Sequence, residues 1–232
     1  MRLSHLSILT LAGGLYAAPI PCGELGTFQD LLNAAECSLG EFTVKNPSFS
    51  ASEGGVGADS IPLNAGQDEN NNLFFNIGSG LFGIPGETLI YRFGYLIDPP
   101  PEILEEFSAE AFISDFSSDF ASFALFVLPA QAPSDSMLTF DLCAGAAFTD
   151  TPPSPATCLG QYNQLVLTGL GFLSGGVDFK KTNILDILME IRLEDGANLA
   201  GALSTRVHLT PEPSTLVLGL AGLGLLAWFR RR

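Results

Sequence analysis

Thr88-Leu-Ile-Tyr-Arg-Phe-Gly-Tyr-Leu-Ile97, closed by Asp98-Pro-Pro-Pro101, is the stretch whose reading decides the fold. Branched and ring side chains fit a pleated surface, and proline cannot donate to a ladder, so this run is a strand with a defined end. Upstream, Leu73–Ile77 has the same character, while Phe42, Val44 and Phe49 mark extended segments broken by Asn46-Pro47. Downstream, further strands are expected over 121–128, 137–143, 163–168, 184–193 and 204–209, separated by Gly, Pro and Asn clusters. Strands recurring between such turns predict an all-β fold, mainly an antiparallel β-sandwich. One short N-terminal helix is expected after Thr27, an N-cap residue with Asp30 near the positive helix end, and it should stop near Cys37.

Two passages carry mixed periodicity. Phe112, Phe116, Phe120 and Phe123 recur at helical spacing, whereas Phe107, Ala109, Ala111 and Ile113 alternate as in a strand, which favours two strands joined near Ser117-Ser118. Ile184 to Glu190 fits a helical turn, but a turn at 198–201 after Arg192 favours a hairpin.

The ends have different compositions from the body. Arg2, an apolar run from Leu6 to Leu15 and the small residues Ala17 and Ala18 make residues 1–18 a cleavable secretory signal peptide. Ile20-Pro21 before Cys22 is unlike the small residues that precede a lipidated cysteine. At the other end, the apolar run 215–229 is followed directly by Arg230, Arg231 and Arg232. At 1.5 Å per residue it reaches about 22 Å, enough for a short transmembrane helix only where the bilayer thins and the arginines snorkel. The arginines hold the C-terminus in the cytoplasm, so the body, residues 19–209, faces outward.

Just ahead of that run stand Pro211-Glu212-Pro213 and Ser214. Pro-Glu-Pro, a short Gly/Leu-rich helix and a terminal arginine cluster, in that order over residues 210–232, resemble the PEP-CTERM sorting signal of exported proteins in Gram-negative bacteria that make exopolysaccharide. The resemblance implies passage through the Sec translocon and then processing by an exosortase, which recognises Pro211, Glu212 and Pro213. It further implies an inner-membrane intermediate and a final place in the cell envelope, at the cell surface or outside the cell. The block from Cys37 through Leu39-Gly40-Glu41-Phe42 to Phe49 also resembles the opening of many PEP-CTERM bodies, which implies a β-sandwich of unassigned activity.

Cys22, Cys37, Cys143 and Cys158 are even in number and fall into two equally spaced pairs in an exported body. Of three possible connectivities, 22–37 with 143–158 is the economical one. Zinc would ask for closer ligand spacing and usually histidine.

The chain of 232 residues carries a formal charge of -15; without Arg2 and the three terminal arginines, six cations face 25 acids. A body at -19 repels phosphate backbones, which excludes nucleic acid as a partner. Catalytic chemistry is hard to assemble. His5 leaves with the signal, and His208 lies beside the sorting linker, so a histidine-activated nucleophile is not expected. Gly54-Gly55-Val-Gly57 and Gly78-Ser-Gly80 are turn chemistry, and Lys180-Lys181 is a solvated turn. A carboxylate-based glycoside hydrolase needs two acids about 5–10 Å apart, for which Glu105, Glu106, Glu110, Asp115 and Asp119 are the compositional candidates. Adjacent Glu105 and Glu106 point to opposite faces of a strand and cannot be that pair. The body lacks tryptophan, leaving Tyr91, Tyr95 and Tyr162 as sugar-stacking rings. Asp68, Glu69 and Asn70, in the run 67–72, and the turn Glu194-Asp195-Gly196 offer oxygen ligands to calcium without EF-hand spacing. The expectation is a non-catalytic structural or adhesive component of the exopolysaccharide or biofilm matrix, with no cofactor and no resident metal. The alternative is a carbohydrate- or calcium-binding module, and behind it the hydrolase.

Overall fold

The computed structural model describes residues 19–69, 72–78, 81–98, 103–115, 136–169, 171–182, 184–199 and 202–210. The signal peptide, the sorting motif, the terminal apolar run, Asn70, Asp119 and the strand expected over 121–128 lie outside them.

In the central strands the side chains alternate, with one side apolar and buried. Leu185, Ile187, Met189, Ile191 and Leu193 are buried while Asp186, Leu188, Glu190, Arg192 and Glu194 are half-buried on the other side. Strands of this kind bury one face each, so they assemble as two antiparallel sheets packed face to face.

The first sheet runs in the order β1 (Glu36–Leu39), β2 (Phe42–Ala51), β5 (Thr88–Asp98), β10 (Leu185–Glu194), β7 (Met137–Ala144) and β8 (Gln161–Thr168). The second has β3 (Leu63–Gln67), β4 (Leu73–Ile77), β12 (Leu203–Thr210), β6 (Ile103–Asp115) and β11 (Ala197–Leu199), with β9 (Gly171–Thr182) also paired to β6. Aromatic pairs stitch the layers together. Phe107 of the second sheet meets Phe140 of the first at 5.2 Å, and Phe75 stacks on Tyr95 at 4.5 Å. The Thr205 hydroxyl donates to the Phe75 carbonyl at 2.8 Å, so its oxygen is the acceptor for the Tyr95 hydroxyl at 3.2 Å. Every polar atom of that buried contact is thereby paired.

Helix α1 (Phe28–Ala34) is started by a reciprocal cap: Thr27 Oγ1 accepts from the Asp30 N–H, and Asp30 accepts from the Thr27 N–H. Its Phe28 ring lies edge-on to Phe93 at 5.0 Å. The helix stops at Ala35, which takes a left-handed conformation, so Cys37 already belongs to β1. Both expected disulfides, Cys22–Cys37 and Cys143–Cys158, are formed.

Several expectations need correction. Asn46-Pro47 does not break the chain into two segments; it is a bulge inside β2, where pairing shifts from Lys45 opposite Leu96 to Ser48 opposite Gly94. Asn46 takes φ 52, which asparagine tolerates, and the bulge spares Pro47 a ladder bond it cannot make. Ile184 to Glu190 is strand, not helical turn. The turn after Arg192 falls at Asp195-Gly196, both at positive φ, and Asn198 lies within β11, which pairs with β6 and so carries the chain to the second sheet. Lys180 and Lys181 are in β9 instead of a turn.

Candidate functional site

The outer face of the first sheet is a grid set by register. One row across the strands reads Ser48, Gly94, Leu188, Asp141; the next reads Ser50, Arg92, Glu190, Thr139. Neighbouring strands stand about 4.8 Å apart, so these side chains form a close-spaced polar floor with Leu188 as its apolar centre. Gly94 makes that floor compact, because a Cβ there would meet Ser48 Oγ at 2.5 Å and Leu188 Cδ2 at 2.6 Å.

The loop between β7 and β8 folds back as a wall. Cys143–Cys158 closes it at its base, the Phe148 N–H donates to Asp186 Oδ2 at 2.9 Å, and the Phe148 ring sits edge-on to Tyr162. The wall brings Thr151-Pro152-Pro153 over the floor and encloses a cleft of about 660 Å³.

Charges in the cleft are held by neighbours. Arg92 Nε donates to Glu190 Oε2 at 2.8 Å. The Tyr162 hydroxyl and Gln164 Nε2 both donate to Asp141 Oδ1, at 2.5 and 2.8 Å. Burial and the Asp141 carboxylate push the Tyr162 hydroxyl up to about 12. Burial also raises Asp186 above the usual carboxylate range, against the N–H groups of Phe148 and Ile187, which favour its charge. The result is a fixed set of planar donors and acceptors beside an apolar strip.

The sequence candidates are scattered. Tyr91 and Tyr95 are not available to a sugar: both rings lie in the core, at 0% and 2% exposure, because they share the inward face of β5 with Phe93. Tyr162 does not line the cleft but stands behind it, where its hydroxyl holds the lining residue Asp141. Glu106 and Glu110 point outward from β6 on the opposite side of the sandwich. Four residues apart on a strand, they are separated by about 13 Å, too far for a hydrolytic pair. Glu105 and Asp115 belong to the same strand. His208, on β12, contacts Ser108 Oγ at 3.4 Å, also away from the cleft. Asp68 closes its own loop, accepting from the Asn72 backbone and side chain at 2.9 and 3.1 Å. Asp195 accepts from the Gly86 N–H, and Glu194 pairs with Arg192. Among the described residues no three or more His, Cys, Asp or Glu side chains are grouped to hold a metal. Arg92, Asp141 and Glu190, which sequence reading missed, are the charged groups that the fold brings together.

At the end of the last strand begins the segment that comparison recognises. The family model of the PEP-CTERM protein-sorting motif matches residues 209–232. This is a PEP-CTERM motif-containing chain. The PEP-CTERM motif implies an exported protein sorted by exosortase, with a cell-surface or extracellular destination. It begins inside β12, at Leu209. No curated protein matches the chain in sequence. Among solved structures it is similar to TmCBM61 in complex with beta-1,4-galactotriose, at 8% identity and a TM-score of 0.33, over 72% of this chain and 88% of that one. It is also similar to the enzymatically active domain of bacteriophage CBA120 tailspike protein 4, at 11% identity and a TM-score of 0.31, over 68% of this chain and 19% of the other. The arabinose-bound MgGH51 α-L-arabinofuranosidase matches at 15% identity and a TM-score of 0.26, over 84% of this chain and 27% of the enzyme. Likenesses this distant say nothing about ligand or activity. Among the described residues no helix is long and apolar enough to cross a membrane.

Proposed function

We propose that this PEP-CTERM protein works without catalysis, as a structural or adhesive component associated with the exopolysaccharide or biofilm matrix, after export through the Sec translocon and processing by an exosortase near Pro211-Glu212-Pro213. The observation that carries the reading is the sorting motif at 209–232, joined without a spacer to the final strand of a doubly disulfide-bonded sandwich. The acids of the cleft support it, since both are engaged by the fold: Glu190 by Arg92, and Asp141 by Tyr162 and Gln164. The test is fractionation of the native host, with mass spectrometry of both termini and of the cysteine links. The reading expects a C-terminus close to residues 211–214 in matrix-associated or extracellular protein. An intact Arg232 found only in the inner membrane would defeat it. The cleft favours a second reading, a carbohydrate-binding module, which gives the matrix protein something to hold.

A further inference from the structure

Sorting leaves the cleft over the first sheet unexplained, and its lining is chemically distinctive. We propose that it is a binding site for a short neutral oligosaccharide, an inference that rests on the carbohydrate-binding reading above.

Three properties point to that ligand class. The first is composition. Arg92 offers a planar donor fork, Asp141 and Glu190 offer acceptor oxygens, and the Thr139 hydroxyl can do either. Sugar hydroxyls are donors and acceptors at close spacing, and a grid of such groups about 4.8 Å apart can meet several of them at once. Leu188 and Pro152 supply the apolar strip against which the C–H face of a sugar ring can lie. Its volume of about 660 Å³ falls within the roughly 300–1,000 Å³ of clefts that take small organic ligands.

The second property is charge. Arg92 is the only cation lining the cleft among the described residues, and Glu190 already neutralises it. Asp141 leaves the site negative within a body whose cations fall nineteen short of its acids. Uronate, sulfate and phosphate groups are therefore repelled, while a neutral glycan is not.

The third is the backbone. The central floor strands β5, β10 and β7 are each paired on both sides and spend their ladder groups on their neighbours. A peptide docking by strand addition needs a sheet edge, and across β5, β10 and β7 the floor has none to give; the one-sided stretch of β2 over 48–51 lies at the rim. Recognition must come from side chains, which suits a polyhydroxylated ligand. The wall is fixed in advance by Cys143–Cys158 and by the Phe148–Asp186 bond, which lowers the ordering cost of binding.

The experiment is calorimetry on the full exported protein purified from its host, with neutral gluco- and galacto-tetrasaccharides and a tetragalacturonate as probes. The expected result is binding of a neutral probe with an affinity at least about tenfold above that for the uronate. Asp141→Ala and Glu190→Gln should each lower it by about tenfold or more, and Glu110→Gln on the opposite sheet should leave it unchanged. Preference for the uronate, neutral binding untouched by the cleft variants, or no binding to any probe would overturn the proposal. If a cleft variant fails to fold, hydrogen exchange of the wild-type protein decides: amides at 148–151 must slow on adding the neutral probe, and unchanged exchange sinks the site. A protein that fails these tests yet still co-fractionates with matrix polysaccharide refutes the cleft and leaves the matrix role standing; one that never reaches the matrix refutes the role itself.

Discussion

Removing the two disulfides one at a time provides a matched test of what holds the sandwich together. Both Cys22–Cys37 and Cys143–Cys158 join residues 15 apart. For a loop of that length the chain-entropy model gives about 10 cal/mol/K, or about 3 kcal/mol at room temperature. In a body of this size that corresponds to a fall in Tm of about 6–12 °C. Cys22→Ala/Cys37→Ala and Cys143→Ala/Cys158→Ala should therefore lose similar stability, though one bridge lies beside helix α1 and the other closes the cleft wall. The assay is urea unfolding of protein exported to an oxidising compartment, with and without reductant, comparing midpoints at constant m. Reductant should bring the wild type down by the two increments together and should shift each variant only by its remaining bridge. A loss below about 1 kcal/mol for either variant, at unchanged m, would refute the reasoning and place the stabilisation in native contacts rather than in the unfolded chain.

Other predictions follow from burial. Phe107→Ala removes a fully buried ring packed on Phe140 and should cost about 3–5 kcal/mol, measured by the same urea titration. Asp186 is raised above its ordinary 3.8 by burial, so the folded state holds its proton more tightly than the unfolded state. Stability should therefore fall as pH rises through the window just above 3.8. Asp186→Asn, which keeps an acceptor for the Phe148 N–H, should flatten that part of the stability–pH curve. Tyr91, Tyr95 and Tyr162 are all raised above 10, so native protein lacking Tyr16 should show little tyrosinate absorbance at pH 10. Stability should then decline as pH climbs from 10 toward 12, and Tyr162→Phe should remove part of that decline. Thr27→Ala removes the helix cap and should lower stability by about 1 kcal/mol, read from the urea midpoint.

Strand β5 was legible because its side chains alone specify it, and the expected run ends one residue short of the observed Asp98. The cysteine pairing was legible for a different reason: equal short loops leave one connectivity far cheaper than the others. Strand β9 was not, since Gly171, Gly175 and Gly176 give it almost no propensity and it exists by pairing with β6. The short β1 and β11 were hidden likewise. For Tyr91 and Tyr95 a signal was present: Leu89, Tyr91, Phe93, Tyr95 and Ile97 form one unbroken apolar face, which marks them as core. The cleft had no such signal. Arg92, Asp141 and Glu190 come from three separate strands, and only the order β5, β10, β7 makes them neighbours. That order is a long-range pairing, which local periodicity does not encode.

Strand β12 ends at Thr210, paired with Ile103, and Pro211 is the next residue. Tension applied at the sorting motif thus enters the sandwich along the axis of an interior strand. β12 is flanked by β4 over 203–207 and by β6 over 204–210, so a pull must slide it past both neighbours at once. A strand at the sheet edge, pulled from its end, would unzip one bond after another. By placing the exit point in the middle of the second sheet, the fold converts a pull at residue 211 into shear shared across two ladders. Resistance to such a pull comes from topology alone, with no extra contact.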